Sequence, residues 1–292
     1  MKRASGKLHK LDANGAVSKR LHSTLSPFRY PGGKSWLRGH VLEWLTTLPF
    51  RPKMFVEPFA GGASVGLALA ELDMADQIYL IERDPEVAAV WQAALGPECN
   101  RLCRRIREFK ITRKSVVTAL SSTRSDLVSV AFRVLLRNRV QRGGIIAPRA
   151  GLLRKGERNR GVRSRWYPKT LVCRLKKIHS LRNRLRVTKG DAMAQLPNLL
   201  SRSDCAFFLD PPYAVNGRGP GLRLYRHAQL DHELLFDLLA GAKSPCLATY
   251  QPSVHIRRLA QQSGFSVSTT AMHTAHHRHR YELILRREPS NE

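Results

Sequence analysis

The chain is poor in acidic residues. Its 292 residues carry 22 Asp and Glu against 50 Lys and Arg, a net charge of +28. So one-sided a surface attracts polyanions, of which nucleic acid is the commonest. Long hydrophobic runs are missing too. No apolar stretch approaches the roughly 18 residues a spanning helix needs, so no membrane partner is expected. Cysteine is scarce and irregular: five residues, an odd number without regular spacing, argue against a disulfide framework and for a reducing, cytoplasmic compartment. Cys99 and Cys103 stand four apart without a second ligand pair nearby, so all five cysteines read as small buried hydrophobes and no metal is expected. Residues 1–26 lack both hydrophobic periodicity and the apolar core of a secretory signal. They read as a disordered basic arm, with a transit peptide as the weaker alternative. The hydrophobic content, 42%, suffices for one sizeable core or a core plus a smaller lobe.

Against this background one stretch organises the chain. Asp210-Pro211-Pro212-Tyr213 follows directly on the apolar run Cys205-Ala206-Phe207-Phe208-Leu209. The run reads as a buried parallel strand stopped by two prolines. In open α/β sheets the carboxyl ends of the strands form the ligand edge. There the Asp210 carboxylate and the Pro211 carbonyl can both accept from one exocyclic amine, while Tyr213 stacks on the ring that carries it. Pro212 removes a competing backbone donor and fixes the turn. The alternative is an ordinary Asp-Pro turn closing a strand.

Two glycine turns precede it. Phe28-Arg29-Tyr30-Pro31-Gly32-Gly33-Lys34-Ser35 resembles the tail of a phosphate-binding loop, but Phe28 stands where that loop needs its first glycine. A turn remains whose backbone and Lys34 can close over a ligand carboxylate, or whose lysine is merely solvated; an amphipathic helix from about Ser35 to Leu48 follows. Next, the strand Lys53 to Glu57 runs into Pro58-Phe59-Ala60-Gly61-Gly62-Ala63-Ser64-Val65-Gly66 and a helix of small residues. This is a nucleotide-binding arrangement. Ala63 replaces the second glycine that a pyrophosphate requires, which favours a nucleoside without a diphosphate. The strand Gln77 to Ile81 ends in Glu82, about 20 residues beyond the glycines, the position of an acid that holds ribose hydroxyls.

Tyr-Pro-Gly-Gly-Lys, Glu-Pro-Phe-Ala-Gly-Gly-Ala-Ser-Val-Gly and Asp-Pro-Pro-Tyr, in that order, resemble the Dam-type N6-adenine DNA methyltransferases over roughly residues 27–286. The resemblance implies an α/β fold: a Rossmann-like class I methyltransferase sheet with a mainly helical, basic target-recognition domain inserted. It implies a catalytic domain over 27–96 and 185–286, the insertion over 97–184, and S-adenosylmethionine as cofactor. By motif position the cofactor set is Tyr30, Gly32, Gly33, Lys34, Glu57, Pro58, Phe59, Gly61, Gly62, Glu82, Asp191 and Asp210. Tyr30 and Lys34 would hold the amino-acid end, the glycine turn would pass beneath, and Glu82 would take the ribose. Asp191, near the adenine, could equally be a helix N-cap. Asp210, Pro211, Pro212 and Tyr213 are the catalytic motif. Glu82 stands where GATC-methylating members carry aspartate, and Tyr30 replaces their tryptophan. A bacterial or phage origin fits the resemblance, with a monomer acting on double-stranded DNA.

The middle of the chain concentrates the charge. From Arg101 to Gly190 there are 27 Lys and Arg against three acids, Glu108, Asp126 and Glu157, a surplus of 24. Phosphate binding explains this better than a solvated face. An apolar-faced helix from about Asp126 to Arg139 is expected to deliver Asn138, Arg139, Gln141 and Arg142 to DNA base edges. The segment lacks the GATC-type pattern, so a target site does not transfer. Trp166 and Tyr167 read as a packing contact between lobe and core. Asn216 to Gly221 reads as a flexible loop beside the base, or a connector. The histidines of the 273–280 segment read as a basic loop rather than a zinc site.

The sequence therefore points to a DNA adenine N6-methyltransferase. Cytosine N4 or an RNA adenine are the alternative acceptors, and a non-catalytic DNA-binding regulator on the same scaffold is the rival from another class.

Overall fold

The computed structural model of the chain describes residues 25–29, 36–144, 146, 151–213, 229–273 and 279–288. Seven strands form one sheet: β1 Met54–Glu57, β2 Gln77–Glu82, β3 Leu185–Lys189, β4 Cys205–Leu209, β5 Cys246–Tyr250, β6 Ser266–His273 and β7 His279–Arg287. Their order is β3-β2-β1-β4-β5-β7-β6. The first five are parallel, and β7 pairs antiparallel with both β5 and β6.

The apolar runs explain the layering. A parallel strand buried on both faces must be hydrophobic throughout, and every residue of β4 and β5 is buried. Alternate side chains go to opposite layers. Phe55, Ala206 and Phe208 join the cluster that holds α1 (Leu37–Thr47), α2 (Ser64–Leu72) and α3 (Pro85–Leu95). Val56, Phe207 and Leu209 face α8 (Ala192–Leu200), α9 (His232–Ala240) and α10 (Val254–Gln262).

Between α3 and β3 lies the basic insertion: α4 Cys99–Glu108, α5 Arg113–Leu120, α6 Leu127–Val140 and α7 Pro168–Ser180. Its apolar side chains Leu102, Ile106, Phe132 and Leu135 belong to the same cluster as Val90 and Trp91 of α3. The insertion is thus packed on the sheet's helical layer through a continuous core. Trp166 is buried against Phe109 and Phe132, with ring centroids 5.7 and 6.2 Å away, whereas Tyr167 is exposed.

The few acids have positional work. Asp84, Asp126, Asp191 and Asp231 each accept from backbone N–H groups at a helix start, of α3, α6, α8 and α9 respectively. Such caps stabilise a helix by roughly 1 kcal/mol each.

Two expectations are corrected. Cys173 is exposed on α7, while the other four cysteines are buried. The arm does not extend to residue 26: Ser26 is buried, and its carbonyl accepts from Arg174 at 3.0 Å. Helix α7 begins at Pro168, a favoured first helical residue, and ends at Ser180. Residues 1–24, the 216–221 loop and residues 274–278 lie outside the described residues. No helix among those described is long and apolar enough to cross a membrane.

Candidate active site

The carboxyl ends of β1, β2, β4 and β5 share one edge of the sheet because those strands are parallel. They bring Glu57, Glu82, Asp210 and Tyr250 to that edge. β7 runs the other way, and its Leu283 pairs with Tyr250. Glu282 therefore lies one step further along the same edge.

Asp210 accepts at Oδ1 from the Tyr213 hydroxyl at 2.7 Å and the Thr249 hydroxyl at 3.0 Å. Tyr213 also lies 3.1 Å from Glu282 Oε1 and 3.3 Å from Thr249 Oγ1. Glu282 is 2% exposed. Burial, with the charges of Asp210 and Glu282 adding to it, pushes the Tyr213 phenol well above the usual range. Its ring lies 5.6 Å from that of Tyr250, tilted by 32°. Tyr250 in turn stacks on Phe236 and has its hydroxyl 3.1 Å from His232 Nδ1. Pro211 is buried and Pro212 half-buried. The Tyr213 ring, expected to project as a platform, is turned inward, with its hydroxyl engaged at Asp210. The hydrogen bond explains the orientation: a buried phenol needs an acceptor, and the nearest is a carboxylate.

The glycine turn is built around two other carboxylates. Glu57 is buried, and its Oε2 accepts from Gly66 N at 2.9 Å. A Cβ at position 66 would lie 2.7 Å from that oxygen and 3.0 Å from Ile78 Cγ2, which is why glycine stands there. Burial pushes the Glu57 carboxyl up to about 8, the charge of Asp210 adding to it and the Gly66 N–H opposing it. Glu82, 9% exposed, accepts at Oε2 from Gly61 N at 2.9 Å and at Oε1 from Asp84 N at 2.8 Å. Burial raises it to about 7. Gly61 is left-handed (φ 47), and so is Ala63 (φ 43), a conformation costly for a residue with a Cβ and frequent where a turn approaches a ligand. Pro58 is buried and Phe59 half-buried against the α8–α10 layer, while Gly61 and Gly62 are partly exposed. Asp191 caps α8 by accepting from Met193 N at 3.0 Å, and its other oxygen lies 3.5 Å from Arg83.

Tyr30, Gly32, Gly33 and Lys34 lie outside the described residues, but the backbone that leads to them is held firmly. Phe28 packs on Trp91 at 5.8 Å. Asn138 accepts from Arg29 N at 2.8 Å and donates to Arg29 O at 3.0 Å and to Gly144 O at 2.8 Å. Arg139 donates to Pro27 O at 2.6 Å.

These bonds correct the expected DNA contacts. Asn138 (0% exposed), Arg139 (6%) and Gln141 (4%) are buried, and a side chain enclosed by its own protein cannot reach a base edge. Asn138 and Arg139 are turned to the segment before Tyr30, whose backbone groups they bond. Arg142 is exposed. Sequence reasoning missed Thr249, Tyr250 and Glu282. The signal for Glu282 was present: an acid within the apolar strand pattern Tyr281 to Leu285. Among the described residues no group of three or more His, Cys, Asp or Glu could hold a metal ion.

No family model matches the chain, and no curated protein matches it. Solved structures do resemble it at low identity. The rRNA methyltransferase aviRa from Streptomyces viridochromogenes is 13% identical, with 92% of each chain covered and a TM-score of 0.42. A putative RNA methyltransferase from Pyrococcus horikoshii is 12% identical, covering 93% of this chain and 88% of that one, with a TM-score of 0.41. A putative class I S-adenosylmethionine-dependent methyltransferase from Listeria monocytogenes is 10% identical, covering 94% and 66%, with a TM-score of 0.41. The single sheet, with five parallel strands covered by helices on both faces and an antiparallel β7 inserted beside β5, is a Rossmann-like α/β arrangement.

Proposed function

We propose that the protein is a DNA adenine N6-methyltransferase that uses S-adenosylmethionine. The observation that carries the reading is the position of Asp210-Pro211-Pro212-Tyr213, directly after β4 at the carboxyl edge of the sheet. β4 is paired with β1, whose own end opens into the glycine turn. The residues present suit this cofactor: a carboxylate at the end of β2 for ribose hydroxyls, a glycine turn after β1, and Asp210 at the end of β4. Bound there, the cofactor supplies a sulfonium methyl group.

The chain's own part is orientation and electrostatics. The target base is flipped from the duplex, since its amine is otherwise committed to pairing. Asp210 and the Pro211 carbonyl accept from the amine, so that its lone pair faces the methyl. For this the Tyr213 hydroxyl must yield Asp210 to the amine, and Glu282 stands within reach to receive it. The surplus of 24 positive charges between Arg101 and Gly190 supports a nucleic-acid substrate.

The test is methylation of a mixed-sequence plasmid with labelled S-adenosylmethionine, followed by nucleoside analysis. N6-methyldeoxyadenosine is the expected product. N4-methyldeoxycytidine, or transfer to RNA alone, would move the substrate and keep the chemistry. No transfer to either polymer would overturn the enzymatic reading in favour of a binding protein.

A further inference from the structure

The loop before α7 is folded with unusual backbone. Two short 3-10 turns, Glu157–Asn159 and Gly161–Arg163, are joined by a chain that is left-handed at Gly156 (φ 66), Arg158 (φ 53), Asn159 (φ 57) and Gly161 (φ 56). That conformation is unfavourable for Arg158 and costs Asn159 less. Its persistence requires surrounding contacts to hold it, as happens at ligand clamps. The contacts are there. Gly161 N donates to Lys155 O at 2.6 Å, and Ser164 Oγ donates to Gly161 O at 2.7 Å. A Cβ at Gly156 would strike Ser164 Oγ, and Val162 is buried in the core cluster.

The folded loop faces the amino end of α5 across a cleft of about 440 Å³. Arg113, the first residue of α5, lines one side, and Arg154, Asn159, Arg160 and Arg163 line the other. All four arginines are exposed. Arg163 is aimed by its Nε, which donates to Ile111 O at 3.2 Å. Among the described side chains none that lines the cleft is acidic. Four guanidinium groups around one space repel each other, and the amino end of α5 adds further positive potential. Such an arrangement is stabilised by an anion.

We propose that this cleft binds the phosphodiester backbone of duplex DNA, apart from the edge where the methyl group is transferred. Arginine forks match phosphate oxygens in two-point contacts. Among the described residues no aromatic side chain lines the cleft to stack an exposed base, so its chemistry serves phosphates rather than bases. The choice of DNA rests on the function proposed above; the anion chemistry does not.

The experiment measures binding of the full-length protein to a fluorescein-labelled mixed-sequence DNA duplex over a salt series, without cofactor. Arg154→Gln/Arg160→Gln is compared with Lys243→Gln/Arg258→Gln, which removes the same charge from exposed positions beside β5 and on α10. The cleft variant should weaken binding about tenfold and lower the salt slope by about 1.8, the value for two lost phosphate contacts. The comparison variant should change the slope little. Equal losses in both would reduce the effect to bulk charge and overturn the cleft, as would unchanged binding in the cleft variant. A loss confined to an RNA duplex would overturn the choice of DNA. The single variants Arg154→Gln and Arg160→Gln replace the double if its thermal midpoint falls. Because no turnover is read, a wild type that binds as described but methylates nothing sinks the enzymatic reading alone.

Discussion

The hydroxyl of Tyr213 lies 2.7 Å from Asp210 Oδ1 and 3.1 Å from Glu282 Oε1, so one proton donor stands between two carboxylates. Tyr213→Phe keeps the ring and removes that donor. Its loss should lower stability by about 1–3 kcal/mol, the cost of a missing hydrogen bond to a buried charged group, read by urea unfolding. Methyl transfer should persist in Tyr213→Phe and be lost in Tyr213→Ala. Equal loss in both would assign the role to the hydroxyl and remove the ring from the mechanism. Asp210→Ala should abolish transfer and leave DNA affinity unchanged. Near-normal turnover in that variant would sink the proposed chemistry.

Glu57 ties stability to pH. Burial favours its protonated form, so the folded chain holds this proton more tightly than the unfolded one. The contribution is fully present below the ordinary carboxyl pKa and is lost as pH rises through about 8. Glu82, raised to about 7, acts in the same direction. The thermal midpoint should therefore fall in calorimetry as pH rises from the ordinary carboxyl value of 4.5 to about 8. Glu57→Gln, which can still accept from Gly66 N, should flatten the upper part of that fall. A wild-type midpoint that rises over the interval would show both carboxyls ionised in the folded chain.

Cofactor binding should release protons. A cationic ligand beside Glu82 favours the ionised carboxylate, and a group titrating near 7 has on the order of half a proton to lose at neutral pH. Calorimetric titration with S-adenosylmethionine in buffers of different ionisation enthalpy measures this directly. Proton uptake would contradict a cationic ligand at this edge.

The sheet-forming half of the chain was legible because its signals are local. A continuous apolar run that ends in Asp-Pro-Pro marks β4 and the sheet edge beyond it from sequence alone. Glu82 was found through its distance from the glycines. Glu282 and Thr249 were not, because their role depends on β7 pairing antiparallel with β5, a long-range register that no local pattern encodes. The basic insertion misled differently. Arg and Asn near the end of a helix have the chemistry for base edges, but α6 turns Asn138 and Arg139 towards the backbone of residues 27–29, about 110 positions earlier. Composition shows that the insertion is positive; only the fold shows which of its cations face outward.

That distinction gives the last prediction. Asn138 satisfies three backbone groups, the N–H and carbonyl of Arg29 and the carbonyl of Gly144. Asn138→Ala removes all three bonds at a fully buried position. Each buried group left without a partner costs about 1–3 kcal/mol, so a total loss of several kcal/mol is expected, read by urea unfolding. Arg29 immediately precedes Tyr30, so the same change should weaken binding of S-adenosylmethionine through the Tyr30 to Lys34 segment. DNA affinity of the folded variant should stay at the wild-type value, because Asn138 has no route to the duplex. Arg142 is the converse. It is exposed one residue beyond the buried Gln141. Arg142→Ala should leave unfolding unchanged and weaken duplex binding in a salt-dependent way. If Asn138→Ala instead lost DNA affinity at unchanged stability, the side chain would have to leave its pocket on binding, and α6 would regain the recognition role its sequence suggests.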